Sequence, residues 1–195
     1  VWNGDTGGIF PDFFQSLNAC RNRAPYETGA IYPPLTYLLL YPLSRMSFDF
    51  QYQGYDWTLM TIIPVNIVIG SSFFMLSTFV MLRIFEKKLD IPFLPSVLSS
   101  VCIIISPMYC FLLDRGNIII LSVLFIMLYL LFYGHENRFL NEISLISLGI
   151  AVNLKLYPVI FGMLLLVDRR YKEALRCIIY GIILFIIPFF FLEGG

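Results

Sequence analysis

Asp114-Arg115-Gly116-Asn117, running straight into Ile118-Ile119-Ile120-Leu121-Ser122-Val123-Leu124-Phe125-Ile126-Met127-Leu128-Tyr129-Leu130-Leu131-Phe132-Tyr133, decides the fold class. A tight polar turn gives way to an uncharged apolar run. An element that is hydrophobic all round must be enclosed by protein or lipid, so the run reads as a membrane-crossing helix entered from a turn. The same alternation continues in both directions. Of 195 residues 58% are hydrophobic and only 13% charged, and the mean hydropathy is +0.80. Soluble domains carry about 25% charged residues, so the composition indicates a polytopic membrane protein.

Towards the C-terminus, residues 134–142 form a loop and Ile143 to Val167 a second apolar run holding Asn153, Lys155 and Pro158. Arg169, Arg170, Lys172 and Arg176 make the next link strongly basic, and Cys177 to Leu192 is a final short span. Towards the N-terminus, Leu94 to Leu113 is expected to span, with Pro107 freeing the carbonyl of Ile103. Thr58 to Phe85 spans with tilt and a kink at Pro64, and Tyr32 to Met46 is a short first segment opened by Pro33 and Pro34. The expected architecture is therefore all-α, a transmembrane helical bundle with about six membrane segments in a single domain, 1–195. A loop over residues 1–31 carries a short juxtamembrane helix from Asp12 to Arg23. The chain opens at Val1 and closes past an aromatic run, and it is expected to be a fragment of a longer bundle.

Several function classes drop out. The formal net charge is zero, so no basic field invites nucleic acid. Cys20, Cys102, Cys110 and Cys177 lack C-x-x-C spacing, His135 is the single histidine, and no carboxylate cluster is visible. No metal and no cofactor are expected. The basic link at 169–176 belongs in the cytoplasm by the positive-inside rule. Counting alternately back from it puts 134–142 outside, 114–117 inside, 86–93 outside and 1–31 outside, with Lys87 and Lys88 against the rule.

The external loop holds the residues that bear chemistry. Asp12 lies in Gly7-Gly8-Ile9-Phe10-Pro11-Asp12-Phe13-Phe14-Gln15, ahead of Tyr26 and Tyr32-Pro33-Pro34-Leu35. It either caps a surface helix, where the dipole favours a carboxylate, or acts as a base. Asp5 is a second, weaker candidate. Arg21 and Arg23 stand close in sequence and suit a phosphate. Arg115 with Asn117 either binds phosphate or anchors a helix end. Lys155 falls in the middle of an apolar run, where a charge costs a few kcal/mol and must face the bundle interior. There it either pairs with Asp114 or with a carbonyl freed by Pro158, or it meets a lipid phosphate.

Gly-x-x-x-Pro-Asp-Phe around Asp12, Ala24-Pro25-Tyr26 and Tyr32-Pro33-Pro34-Leu35 resemble the first external loop of glycosyltransferase family 87. Arg115-Gly116-Asn117 resembles that family's Gly-Gln/Asn turn. The stretch from Gly149 through Lys155-Leu156-Tyr157-Pro158 to Arg169-Arg170 resembles its Lys-x-x-Pro helix end and basic loop. The resemblance implies a fold of the GT-C type, in the plasma (cytoplasmic) membrane. It implies transfer of a hexose, mannose foremost, from a polyprenyl-phosphate sugar to a glycolipid or glycan acceptor outside the membrane. Asp12 would be the catalytic base, and Arg21, Arg23, Tyr32, Arg115, Asn117 and Lys155 would bind substrate beside membrane lipid. The rival readings are a non-catalytic lipid or polysaccharide transporter and a cell-surface polysaccharide ligase or polymerase.

Overall fold

The computed structural model describes residues 10–21, 23–28, 31–46 and 64–193. All regular structure among them is helical: α1 (Pro11–Cys20), α2 (Pro34–Met46), α3 (Pro64–Leu89), α4 (Phe93–Ile104), α5 (Pro107–Arg115), α6 (Ile119–Phe132), α7 (Arg138–Leu154), α8 (Met163–Val167) and α9 (Tyr171–Ile186). Short 3₁₀ turns cover Pro25–Thr28, Tyr157–Gly162 and Ile187–Phe190. Asp5, Gly7, Gly8 and the link at 47–57 lie outside the described residues.

The centre is the antiparallel pair α6–α7, with α3 packed on α6 and α9 on α7. A helix packed in an apolar medium gains little from further greasy contact. Small residues and hydroxyls that reach a neighbour's backbone hold such pairs instead. Ser122 Oγ donates to the Ala151 carbonyl at 3.1 Å and Ser144 Oγ to the Tyr129 carbonyl at 2.9 Å, tying α6 to α7. Asn153 Nδ2 donates to the carbonyls of Gly149 (2.8 Å) and Gly181 (2.9 Å), across the close approach of α7 and α9.

Two expected spans are broken, each at a proline. The run 94–113 divides into α4 and α5, with Val97–Ile104 and Pro107–Arg115 bent by 58° to one another. The Ile103 carbonyl, freed by Pro107, accepts from Ser106 Oγ at 2.8 Å, and the same Ser106 oxygen accepts from Tyr109 N to start α5. The run 143–167 is not one span either. The ring of Pro158 would collide with the Leu154 carbonyl in a continuous helix. Accordingly α7 stops at Leu154, and Lys155 is extended at φ −148°, ψ 136°. Thr36 Oγ1 of α2 takes up the freed carbonyl at 3.4 Å. Beyond Lys155 the chain turns back along α6, where Phe161 accepts from the Tyr129 hydroxyl at 3.2 Å. Pro64, expected as a kink, is the first described residue of α3.

Against the six spans expected, two helices among the described residues are long and apolar enough to cross a membrane, Pro64–Ile84 and Tyr171–Phe190, or three if the bent pair is one span. The doubling back also corrects the alternating count. Tyr133 Oη donates to Asp168 Oδ2 at 2.7 Å and the Arg170 guanidinium lies 5.2 Å from the Tyr133 ring centroid. Residues 133–138 and 168–171 therefore share one end of the bundle rather than opposite faces. The turn at 114–117 and the loop before α2 share the other end.

Candidate active site

Gly116 is the hinge of the site. It closes α5 in the left-handed conformation, φ +63°, which a residue with a side chain adopts at a cost. A β-carbon there would also stand 2.6 Å from Phe10 Cβ and 2.8 Å from Phe10 Cα. Glycine thus meets two demands, one from its own backbone and one from the chain laid across it. Phe10 N donates to the Asp114 carbonyl at 3.3 Å, and Phe10 itself turns left-handed at φ 57° to start α1. Behind it Phe10 and Phe13 pack against Phe74 of α3, with Phe13 stacked on Phe73. Phe13, Phe14, Leu17 and Cys20 bury the inner face of α1 completely.

That packing delivers Asp12 to the turn. Arg115 Nη2 donates to Asp12 Oδ1 at 2.7 Å, and Asn117 Nδ2 donates to Asp12 Oδ2 at 3.3 Å. The side chains of Asp12 and Arg115 are 17% and 32% exposed, so the pair is shielded from bulk water without being sealed. Asn117 cannot turn freely. Its Oδ1 accepts from Ile119 N at 3.0 Å at the start of α6, which leaves the amide nitrogen facing the carboxylate. Asp12 lies in the first turn of α1, where the dipole favours a carboxylate, but its side chain caps no backbone N–H of that helix and is bonded to Arg115 and Asn117 instead. The turn 114–117, expected on the far side of the membrane, is bonded to the residue it was to be separated from.

Two more predicted residues join from other segments. Lys155 Nζ stands 4.0 Å from the centroid of the Tyr32 ring, a cation–π contact in place of the expected pairing with Asp114 or a freed carbonyl. Tyr32 is fixed by its backbone: its N–H donates to Tyr37 Oη at 3.0 Å and its carbonyl accepts from Tyr26 Oη at 3.2 Å. Burial pushes the Tyr32 phenol above its usual range, with the negative charge of Asp12 adding to the effect. Burial lowers the ammonium of Lys155, and Asp12 opposes that shift. Both residues therefore feel the carboxylate. They line a cleft of about 700 Å³ with Tyr26, Pro34, Tyr157 and Phe189, so a cation opens onto an aromatic, apolar wall.

The two loop arginines are placed differently. Arg23 Nε donates to the Tyr41 hydroxyl of α2 at 3.1 Å and its guanidinium lies 5.0 Å from that ring centroid. Arg21 closes α1, its N–H bonded to the Asn18 carbonyl. Sequence reasoning singled out Asp12 by itself and Arg115 together with Asn117, and did not bring the carboxylate to that pair. It also passed over Gly116 as more than a turn residue, although a glycine between a charged helix end and an apolar run is the visible sign of a left-handed stop.

A family model for glycosyltransferase family 87 matches residues 30–194. The chain belongs to glycosyltransferase family 87. It is a membrane glycosyltransferase, and membership removes the non-catalytic transporter reading. No curated protein and no solved structure matches the chain. The family match takes in Tyr32, Arg115, Asn117 and Lys155 and begins after Asp12. What joins Asp12 to the family region of this glycosyltransferase is its own pair of contacts with Arg115 and Asn117.

Proposed function

We propose that this family 87 glycosyltransferase is a multi-pass enzyme of the cytoplasmic membrane with a GT-C-type fold. It transfers a hexose, mannose foremost, from a polyprenyl-phosphate sugar to a glycolipid or glycan hydroxyl on the external side. The observation that carries the reading is a single carboxylate held by two donors, whose charge is felt by Tyr32 and Lys155 in the wall of an apolar, aromatic cleft.

Each part has a task. Asp12 accepts the proton of the acceptor hydroxyl as the acceptor oxygen bonds to the sugar's anomeric carbon. The bond from that carbon to the phosphate oxygen breaks, and polyprenyl phosphate leaves. A phosphate is already a good leaving group, so one carboxylate suffices where a glycosidase uses two. An ionised carboxylate has about four lone-pair positions, and Arg115 and Asn117 occupy one each. The remaining positions can receive the proton while the two donors hold the rotamer. Lys155 meets the phosphate and the cleft takes the first isoprenoid units.

Charge at the two ends favours the external placement. Phe10 packs on α3 at Gly70, and Lys87 follows about 25 Å further along that helix. With Arg138 and the basic link at 169–176, Lys87 and Lys88 then join the cytoplasmic end, which removes their conflict with the positive-inside rule.

The test is transfer of labelled sugar from polyprenyl-phosphate-mannose in membranes carrying the full-length protein. Asp12→Asn keeps the shape and removes the basicity, and a loss of about 10²–10⁴-fold in turnover with donor binding retained is the expected result. Near-normal turnover in that variant would exclude Asp12 as the base. Failure of the wild type with mannose, glucose and arabinose donors alike would exclude the donor class.

A further inference from the structure

The end of the bundle away from Asp12 carries a second cavity, of about 610 Å³. Its wall holds four cations, Arg138, Arg170, Lys172 and Arg176, and two carboxylates, Glu136 and Glu173. The cations are of two kinds. Arg170 bonds Glu173 Oε1 at 2.8 Å, and Arg176 pairs with Glu142 of α7. Arg138 and Lys172 are exposed, and among the described residues their charged groups have no hydrogen-bond or ion-pair partner. The committed arginines hold the wall together, and the uncommitted pair gives the cavity its positive charge. Both sit in the first turn of a helix, α7 and α9, where the macrodipole adds to that charge. Glu173 contributes a third feature. Its Oε2 is buried and, among the described residues, is the one such side-chain atom without a hydrogen-bond partner, a state that a donor would relieve.

A soluble anion would use the charges alone. The wall of the cavity, however, continues into an apolar stripe. Leu175 lines the cavity, and Leu175, Ile178, Ile182 and Ile186, at helical spacing along one face of α9, are 60%, 59%, 54% and 47% exposed. Charge at the end of a helix and unbroken apolar surface running from it match the two halves of an anionic lipid.

We propose that this cavity is a binding site for an anionic phospholipid. Arg138 and Lys172 take the phosphate, the Glu173 carboxylate accepts from a headgroup hydroxyl, and the acyl chains lie along the Leu175–Ile186 face of α9. The site is separate from the transfer site and is occupied whether or not donor is present.

The experiment uses the full-length protein purified in neutral detergent, with thermal unfolding and native mass spectrometry as readouts. The probes are phosphatidylglycerol, phosphatidylcholine and glycerol 3-phosphate. Phosphatidylglycerol should raise the unfolding temperature and remain bound in the spectrometer, and the other two should do neither. Arg138→Gln combined with Lys172→Gln should weaken phosphatidylglycerol binding roughly ten- to thirtyfold, from about 1 kcal/mol per cation near an anionic headgroup. Both positions are exposed and unpartnered, so the double variant tests binding rather than folding, and unfolding temperatures without lipid check this directly. Glu173→Gln, which replaces one acceptor oxygen with a donor, should also weaken phosphatidylglycerol binding. An equal shift with phosphatidylcholine, or unchanged binding in the double variant, would overturn the site. An equal shift with glycerol 3-phosphate would overturn the lipid as its occupant.

Discussion

The two ends of the bundle use the same residue types in opposite ways. At one end Asp12 meets Arg115 and Asn117 from 103 and 105 residues away, with Lys155 and Tyr32 arriving from two further segments. At the other, Arg170 and Glu173 are three residues apart on one helix turn, and the longer reach from Tyr133 to Asp168 spans 35 residues, a third of the separation at the first end. Contacts between neighbours form wherever the helix forms. The assembled end exists only if α1, α2, α5, α6 and α7 all arrive together, and it owes its geometry to one glycine. A site assembled in this way gains precision from the convergence, and any one of its supports can undo it. The local end tolerates change.

Substitutions should grade along this contrast. The largest effect after loss of the base itself is expected from Gly116→Ala. The left-handed backbone costs an alanine roughly 1–2 kcal/mol, and its methyl would enter the space of Phe10. We expect sugar transfer to fall at least about a hundredfold, since a 1 Å misplacement can cost that much, with a lowered unfolding temperature. Turnover within a few-fold of wild type would mean that the turn does not position Asp12.

Lys155 comes next. Lys155→Gln should raise KM for the lipid-linked donor about tenfold and change kcat less, the pattern of lost ground-state binding. Sign and pH follow from burial: a lowered lysine loses its charge at a pH below the ordinary value of 10.5. The alkaline limb of kcat/KM should lie under that value, and Lys155→Arg should push it upward. A limb that Lys155→Arg does not move would assign it to another group.

The smallest change belongs to the local end. Tyr133→Phe removes the hydrogen bond to Asp168, which is worth about 0.5–1.5 kcal/mol at most in so exposed a place. Transfer kinetics should be unaltered, and a drop in turnover would show that the two ends are coupled.

What could be read beforehand followed the distance over which each interaction acts. The helical class, the apolar runs and the helix starts at Pro11 and Pro34 are local and stood in the pattern of residues. So did the break after Leu154, for Pro158 was visible, yet it was taken for a feature inside one span. Nothing local to residues 143–167 says whether a proline bends a helix or sends the chain back. Thr36 waiting for the Leu154 carbonyl, and Tyr129 for that of Phe161, decide it. Because the alternating count hung on that one break, it set 114–117 apart from Asp12 and 134–142 apart from 168–171, which the structure brings together.

The sequence by itself determined that this chain is helical, that it belongs with lipid, and which few polar side chains had to find an occupation in apolar surroundings. A charge or amide among apolar neighbours must be satisfied whatever the topology, so its identity as a site residue is legible. Which partner satisfies it was left to the tertiary structure. Asp12 is bonded to Arg115 and Asn117 rather than capping its own helix, and Lys155 lies on Tyr32 rather than in the middle of a span, because Gly116 and Pro158 bring distant backbone into reach.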